Sequence, residues 1–267
     1  MFRKILTYVG WFLLLALFSS YFFFAHTLKK KGEGDNICTQ IEVNILDSAI
    51  NRFVDGKEVK GIIESSDLKV INSGISNINL HDIEMLLNQR SAIKHSDVSI
   101  DRDGIMRVDI TQRRPLLRIQ HTDGGFYVDE SCYLFPLVSS FTSHVPIVTG
   151  DIPIKIKSGQ RGRVNQEEEK WLISMLKFGE YIRNHEFWSS QIQQINILPN
   201  GELSLYMRVG DQTILFGGLE NMEYKFKKLE AFYRNIVPTQ GWNKYSQINL
   251  KYSDQIVCTL KENKKKI

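Results

Sequence analysis

Cysteine is scarce in this chain, and its spacing excludes the metal sites that are built from closely paired cysteines. The 267 residues include three cysteines, Cys38, Cys132 and Cys258, and no two of them form a CxxC pair. A structural zinc site usually draws on such pairs, so we predict no metal site. One disulfide with a free thiol and three separate thiols fit these positions equally well, so the cysteines do not indicate the compartment.

The signatures of nucleotide-binding enzymes and metalloenzymes are also missing. The glycines at 32, 34, 217 and 218 do not extend into a phosphate-binding loop, and the six histidines show no HExxH spacing. The glutamates at residues 167–169 offer a carboxylate pair, but they lie in the first turn of a predicted helix, where the helix dipole favours negative charge. We therefore predict no catalytic residue, no cofactor and no small-molecule substrate.

An excess of positive charge is missing beyond the N-terminal segment. Residues 1–31 hold five basic residues and no acidic one, so the remaining 29 basic residues are balanced by 30 acidic ones. A nucleic-acid-binding domain needs a basic surface of its own, so we predict no nucleic-acid partner. The lysines at residues 29–31 are better suited to contact lipid head groups.

A long apolar run is present at residues 5–25, which contain no Asp, Glu, Lys or Arg. As a helix rising about 1.5 Å per residue, the run would reach roughly 30 Å, the thickness of a bilayer core. A signal peptide is the alternative, but the run is longer than a signal core, and a cut after Ala25 would put bulky Phe23 where a small residue is required. We predict a transmembrane helix over residues 5–28, whose orientation the flanking basic residues do not settle.

The glycines and charges of residues 29–37 indicate a flexible linker, and residues 38–115 then have the pattern of a small α+β unit. Asp55 is a helix cap, and Asp103-Gly104 between two alternating runs predicts a hairpin. The predicted elements are a strand at 41–45, a helix after Asp55, a brief extended piece at 68–71, a helix over 79–89, and strands at 98–100 and 106–110.

Residues 116–261 predict a second, mostly antiparallel β domain, a meander with its helices on one side, and residues 262–267 a solvated tail. Pro115 separates the two regions because proline cannot donate to a strand ladder. The last long helix should bury Phe226, Tyr233 and other apolar residues and expose its lysines. The predicted elements are strands at 116–120, 126–129, 192–197, 203–207 and 213–216, a loop containing Pro136 and Pro146, a helix starting at 165–168, a helix over 221–237 that buries Ile236 and exposes Lys225, and a hairpin of 247–252 with 256–260.

The last predicted strand has no later partner in the sequence, so it should lie at the edge of its sheet. Its residues, Ile256 to Leu260, are apolar and carry no lysine or proline before Lys261. An edge strand with unpaired N–H and C=O groups is a ready site for a strand from another chain. An alternative reading pairs Cys258 with His121 or His144 as a membrane-tethered thiol transferase, although nothing in the sequence brings a histidine to that cysteine.

In its order of elements and in four stretches, the chain resembles the bacterial cell-division family FtsQ/DivIB. The stretches are VSIDRDGIMRVDITQRRPLLRI at residues 98–119, FYVDESCYLF at 126–135, VPIVTG at 145–150 and INLKYSDQIVCTLK at 248–261. Two departures stand out: Ser131 and Cys132 occupy a turn in which the family commonly has glycine, and the tail of residues 1–4 is shorter than in many relatives.

The resemblance implies an α+β protein with a single N-terminal transmembrane helix, a POTRA-like domain and a β domain with flanking helices. It implies a non-enzymatic scaffold of the division septum, anchored in the inner membrane with the N-terminus cytoplasmic and the bulk of the chain periplasmic. The implied partners are proteins of the FtsB/DivIC and FtsL types, with others possible through the POTRA-like domain, and the implied role is to help control septal peptidoglycan synthesis. A POTRA-bearing assembly or secretion chaperone is the alternative.

The resemblance also implies where a partner would bind. Lys251 and Tyr252 match the basic and aromatic positions of a family motif, and Ile256, Val257, Cys258 and Thr259 fall on the strand that would receive the partner's strand. The aromatic residues Phe226 and Tyr233 of the neighbouring helix are expected to serve the core first and the interface second.

Overall fold

The computed structural model describes residues 11–25, 37–122, 124–157 and 159–261. The chain divides into two compact units. The first takes the described residues up to Ile45 with Asp55–Asn88 and Ser96–Ile110, and the second takes Leu46–Val54, Gln89–His95 and the described residues from Thr111 onward. The predicted N-terminal tail, most of the linker and the C-terminal tail lie outside the described residues.

Residues 11–25 are helical, and we label this helix α1. Its large apolar side chains are all exposed. Among the described residues, no helix combines the length and the hydropathy that crossing a membrane requires. The remainder of the predicted span, residues 5–10 and 26–28, lies outside the described residues.

The first unit is built around a three-stranded sheet of order β1-β3-β2, in which β1 and β3 run parallel. The strand, helix, helix, strand, strand order is the predicted one, but residues 68–71 form no strand: Leu68 lies in a bend, Ile71 lies in a turn, and the two residues between them are irregular. The elements are β1 (Gln40–Ile45), α2 (Gly56–Glu64), a single 3₁₀ turn (Ile75–Asn77), α3 (Leu80–Asn88), β2 (Ile93–Ile100) and β3 (Ile105–Gln112).

Two local signals of the sequence, a helix cap and a hairpin turn, have the predicted effect in this unit. The Asp55 carboxylate accepts the Glu58 N–H at 2.7 Å and so caps α2. Asp101 Oδ1 accepts the N–H groups of Asp103 and Ile105, each at 3.0 Å, and Gly104 takes a φ of +80° that closes the hairpin.

The second unit contains a ten-stranded sheet of order β13-β12-β11-β10-β9-β7-β4-β5-β6-β8. Most pairs are antiparallel as predicted, but β4–β7, β7–β9 and β11–β12 are parallel, so the sheet is not a simple meander. Its elements are β4 (Pro115–His121), β5 (Gly124–Asp129), β6 (Tyr133–Pro136), β7 (Ile147–Gly150), β8 (Gly162–Arg163), α4 (Gln166–Arg183), α5 (Glu186–Gln191), β9 (Ile192–Ile197), β10 (Leu203–Met207), β11 (Thr213–Gly217), α6 (Met222–Asn235), α7 (Val237–Gln240), β12 (Tyr245–Asn249) and β13 (Val257–Leu260).

The stretch that was predicted as a loop contributes β6, β7 and β8 to this sheet. The turn at its start is the one in which Ser131 and Cys132 stand where the resemblance leads one to expect glycine. Cys132 there takes a φ of +60°, a left-handed conformation that glycine adopts without strain. Asp129 Oδ1 supports this turn by accepting the N–H groups of Ser131 and Tyr133 at 2.9 and 3.0 Å.

The core of the second unit lies between the sheet and helices α4 and α6. As predicted, α4 begins after Asn165, whose side chain accepts the N–H groups of two following residues. Three buried rings from three elements meet in this core. Phe178 of α4 and Phe226 of α6 have centroids 5.5 Å apart, and Phe216 of β11 lies 5.1 Å from each.

Helix α6 differs from its predicted pattern at two positions. Lys225, expected in solvent, is 5% exposed because its ammonium group donates to the Gly218 carbonyl at 2.9 Å and to Glu220 Oε1 at 3.0 Å. Ile236, expected in the core, is 38% exposed, since α6 already ends at Asn235.

Gln112, at the end of β3, is bonded through its buried side-chain amide to the segment Leu46–Val54 of the second unit. Its Oε1 accepts the Phe53 and Val54 N–H groups at 2.7 and 3.1 Å, and its Nε2 donates to the Asn51 carbonyl at 2.7 Å and to Asp47 Oδ1 at 3.1 Å. The side chain therefore satisfies three backbone groups that have left regular secondary structure.

Replacing Gln112 with leucine should destabilise the protein strongly. The Gln112→Leu change leaves buried donors and an acceptor unpaired at about 1–3 kcal/mol each, so we expect a loss of about 3–5 kcal/mol. Urea denaturation measures this loss, with the exposed Gln120→Leu as a control that should change stability by about 0.5 kcal/mol or less. A similar small effect for both variants would contradict the role given to Gln112.

Candidate functional site

Strand β13 lies at one end of the ten-stranded sheet, and the described residues place no strand on its outer side. It pairs antiparallel with β12 in the register Gln247 with Thr259, Ile248 with Cys258 and Asn249 with Val257. The predicted edge strand is therefore an edge strand in the structure.

The backbone of β13 presents its free donors at alternate residues. The Lys261 N–H donates to the Lys244 carbonyl at 2.9 Å, toward β12. Because successive N–H groups of a strand point to opposite sides, those of Val257 and Thr259 also point to β12. The N–H groups of Cys258 and Leu260 consequently point outward, where an added strand would lie.

Side chains leave this edge accessible. Val257 is 43% exposed and Leu260 is 60% exposed. A register shift at Ser246 on β12 interrupts the ladder, and the Ser246 hydroxyl lies 3.3 and 3.4 Å from the Thr259 and Leu260 carbonyl oxygens. The edge strand is thus short and largely apolar, and the bulge lies on its neighbour β12.

A groove of about 610 Å³ runs between α6 and β13. Its walls are mainly apolar and aromatic, with a lysine at one side and an aspartate at the other. The principal lining residues are Tyr224, Lys228, Phe232, Ile236, Tyr245, Asp254, Ile256 and Cys258. An open apolar groove beside an unpaired strand edge can take the side chains of an added strand.

Lys228 connects the two walls of the groove. Its ammonium group donates to the Leu250 carbonyl at 3.1 Å and also to the Tyr252 carbonyl, both in the loop between β12 and β13. Burial, with the nearby charge of Lys225, lowers the pKa of Lys228, and Asp254 opposes this shift. The loop is therefore attached to α6 by a charged hydrogen-bond donor.

Two sequence-family models match the chain, and together they cover both units. One described as FtsQ/DivIB, C-terminal related, matches residues 114–259, and one described as a POTRA-like domain matches residues 36–111. The chain belongs to the FtsQ/DivIB C-terminal related family. The resemblance drawn from the sequence is confirmed, and membership indicates a role in cell division. A search of curated proteins found no match.

The sequence predicted a strand for the residues that match the family's basic and aromatic positions. The structure instead places these residues in the loop between β12 and β13. Lys251 Nζ forms an ion pair with Glu202 Oε2 at 2.8 Å, and Tyr252 is 50% exposed. Ile256 directly precedes β13, and Val257, Cys258 and Thr259 lie on it.

The two aromatic residues of α6 that were predicted to serve the core first and the interface second belong to the core. Phe226 is 1% exposed and Tyr233 is 6% exposed, so both pack into the core and neither lines the groove. The Tyr233 hydroxyl accepts a hydrogen bond from Gln212 Nε2 at 3.2 Å, and burial raises its pKa. The sequence analysis did not single out the groove residues Tyr224, Lys228 and Tyr245. The i, i+4 spacing of the first two, which puts them on one face of α6, was the one available signal.

The structure gives no support to a thiol enzyme at Cys258. Burial raises the pKa of the Cys258 thiol, which disfavours the reactive thiolate. The proposed histidine partners contact other residues, His121 the Thr122 hydroxyl and His144 the Arg208 guanidinium.

Removing the Lys228 ammonium should loosen the loop that precedes β13. Hydrogen bonds from a charged group contribute about 1.5–3 kcal/mol when buried, and partial exposure here reduces the expected loss for Lys228→Met to about 1 kcal/mol. Chemical denaturation measures the loss, and hydrogen exchange at Lys251, whose N–H bonds Asn249 Oδ1, should accelerate. Lys227→Met, on the exposed side of the same helix, is the matched control, and equal effects would refute the prediction.

The ion pair of Lys251 with Glu202 should make a small contribution to stability that depends on pH. Hydrogen bonding to Lys251 lowers the pKa of the Glu202 carboxyl, so its contribution is present above the unfolded pKa of about 4.3 and is lost as pH falls through the folded value. In Lys251→Met, the Glu202 pKa should rise toward its ordinary value, as NMR titration of the carboxyl carbon would report. The control variant Lys261→Met should instead raise the pKa of the Asp211 carboxyl, which Lys261 lowers. An unchanged Glu202 pKa in Lys251→Met would contradict the assignment.

Proposed function

We propose that the protein is a non-catalytic, membrane-anchored scaffold of the bacterial division machinery. It binds single-span partners of the FtsB/DivIC and FtsL types by accepting a strand at β13, and it thereby helps regulate septal peptidoglycan synthesis. Family membership supports the cell-division role, and the open edge of the large sheet supports the mode of binding.

The observation that carries the proposal is the set of outward N–H groups on β13 beside an apolar groove. A partner strand gains its affinity from backbone hydrogen bonds to the edge and its specificity from side chains that enter neighbouring pockets. In β13, Cys258 and Leu260 provide the backbone groups. The groove between α6 and β13 provides the pocket.

Anchoring at the membrane fits this function. We propose that residues 5–28 cross the inner membrane once, with the N-terminus cytoplasmic and the rest of the chain periplasmic at the septum. The uncharged sequence of residues 5–25 and the helical state of residues 11–25 support this placement. Tethering the scaffold beside other membrane-bound partners raises their effective concentration for one another.

A proline at Leu260 tests strand addition without disturbing the ladder to β12. Leu260→Pro removes an outward N–H and puts a ring where the partner's strand would pair. The domain should still fold, because edge strands tolerate proline on their solvent side. Relative to Leu260→Ala, we expect affinity for the soluble domain of an FtsB/DivIC-type partner to fall at least about tenfold, measured by isothermal titration calorimetry.

The matched variant Thr259→Pro separates binding from folding. Its N–H points to β12, so this proline should lower the stability of the domain itself, and proline at Val257 should act in the same way. Retention of full partner affinity by a folded Leu260→Pro protein would refute binding at this edge.

A further inference from the structure

A small polar cavity lies in the second unit at the point where β4, β7, β9 and β10 meet, away from β13. Its volume is about 160 Å³. Arg118, His144 and Arg208 line it, and Ser143, Ser189 and Gln193 add neutral polar groups. None of the functions considered above makes use of this cavity.

The topology of the sheet brings these residues together from distant parts of the sequence. Arg118 on β4 pairs with Ile147, the first residue of β7. Ile192, the first residue of β9, pairs with Met207 at the end of β10, and the Arg208 N–H then donates to the Gln191 carbonyl at 2.7 Å. The cavity therefore lies where β7 and β9 begin and β10 ends.

The charge of the cavity is positive and uncompensated by the residues that line it. Those lining residues, all in the described part of the chain, include no Asp or Glu. Arg118 Nη2 donates to Gln120 Oε1 at 3.3 Å, and Arg208 Nη2 lies 3.3 Å from His144 Nε2, so both contacts are to neutral groups or an imidazole. Arg113, by contrast, lies 2.7 Å from the Asp129 carboxylate. Two guanidinium groups in one small cavity repel each other unless an anion joins them.

The Arg118 side chain provides a second and independent observation. Its Nε–H is buried and has no hydrogen-bond partner among the described residues. A buried donor on a charged group is costly to leave unpaired, and native proteins rarely do so without a ligand, ion or water at the site.

We propose that this cavity binds a small oxyanion, either a phosphate or a carboxylate. A guanidinium group offers parallel N–H donors that match two oxygen atoms of either anion, and Arg cannot lose its proton at physiological pH. The volume of about 160 Å³ is many times the roughly 10–15 Å³ that one water needs, so it suffices for an inorganic phosphate or the head of a carboxylate side chain. The hydroxyl group of Ser143 can supply a further donor, whereas the Ser189 hydroxyl already donates to the Glu186 carbonyl at 3.0 Å.

Equilibrium dialysis of the full-length chain with radiolabelled inorganic phosphate tests this site, with chloride used to hold the ionic strength constant. We expect saturable binding of one phosphate per chain, weakened at least about tenfold in Arg208→Gln and in Arg118→Gln, because each change removes a charge-assisted hydrogen-bond donor. Arg234→Gln removes the same charge from the exposed face of α6, where Arg234 pairs with Glu230, and should leave binding unchanged.

Competition by acetate identifies the chemistry of the ligand. Displacement of phosphate by millimolar acetate supports a carboxylate ligand, and resistance to acetate supports a phosphate group. Because Arg208 is exposed, Arg208→Gln should fold and can decide the question alone if Arg118→Gln does not. Absence of saturable phosphate binding, or equal weakening in Arg208→Gln and Arg234→Gln, would overturn the proposal.

Discussion

The parallel pairing of β11 with β12 is the constraint on which the candidate site depends. Parallel neighbours cannot be joined by a tight turn, so the chain must cross the sheet between them, and α6 and α7 form that crossing. Strand β13 then follows β12 in an antiparallel hairpin and becomes the outer strand. The open edge and the helix beside it are therefore two results of one pairing, and the groove is the space that lies between them.

Aromatic packing fixes α6 in place and so determines the shape of this groove. The Phe226 ring lies 4.8 Å from Tyr181 and 5.1 Å from Trp188, in addition to its neighbours on α4 and β11. Close-packed interiors resist displacement, so a helix anchored in this way gives the groove one rigid wall. Lys228 then attaches the loop before β13 to that wall. The edge is accessible because it is unpaired, while the elements behind it are immobilised by the core.

Much of the fold could be predicted because its signals are local in the sequence. Asp55 and Asn165 cap the helices that they were expected to begin, and β13 was expected at an edge because no later strand could pair with it. Predictions failed where a side chain or a strand depends on partners outside its own element. Lys225 was assigned to solvent because its carbonyl and carboxylate partners lie in the turn before α6, and β7 was missed because four residues bounded by proline and glycine gain their pairing only from β4 and β9. The direction of each N–H on β13 likewise requires the register with β12.

The charges around β13 constrain what a partner can contribute there. Lys251 pairs with Glu202, and Lys261 pairs with Asp211, so these two lysines, which flank the strand, are already neutralised by carboxylates next to β10 and β11. Long-range electrostatic attraction from these two lysines should therefore add little to binding at this edge. The strand itself has four residues, and only Cys258 and Leu260 direct N–H groups outward. So few backbone hydrogen bonds give little net free energy, so a second copy of this edge would be a poor partner. Most of the affinity and specificity must therefore come from apolar side chains that enter the groove beside α6.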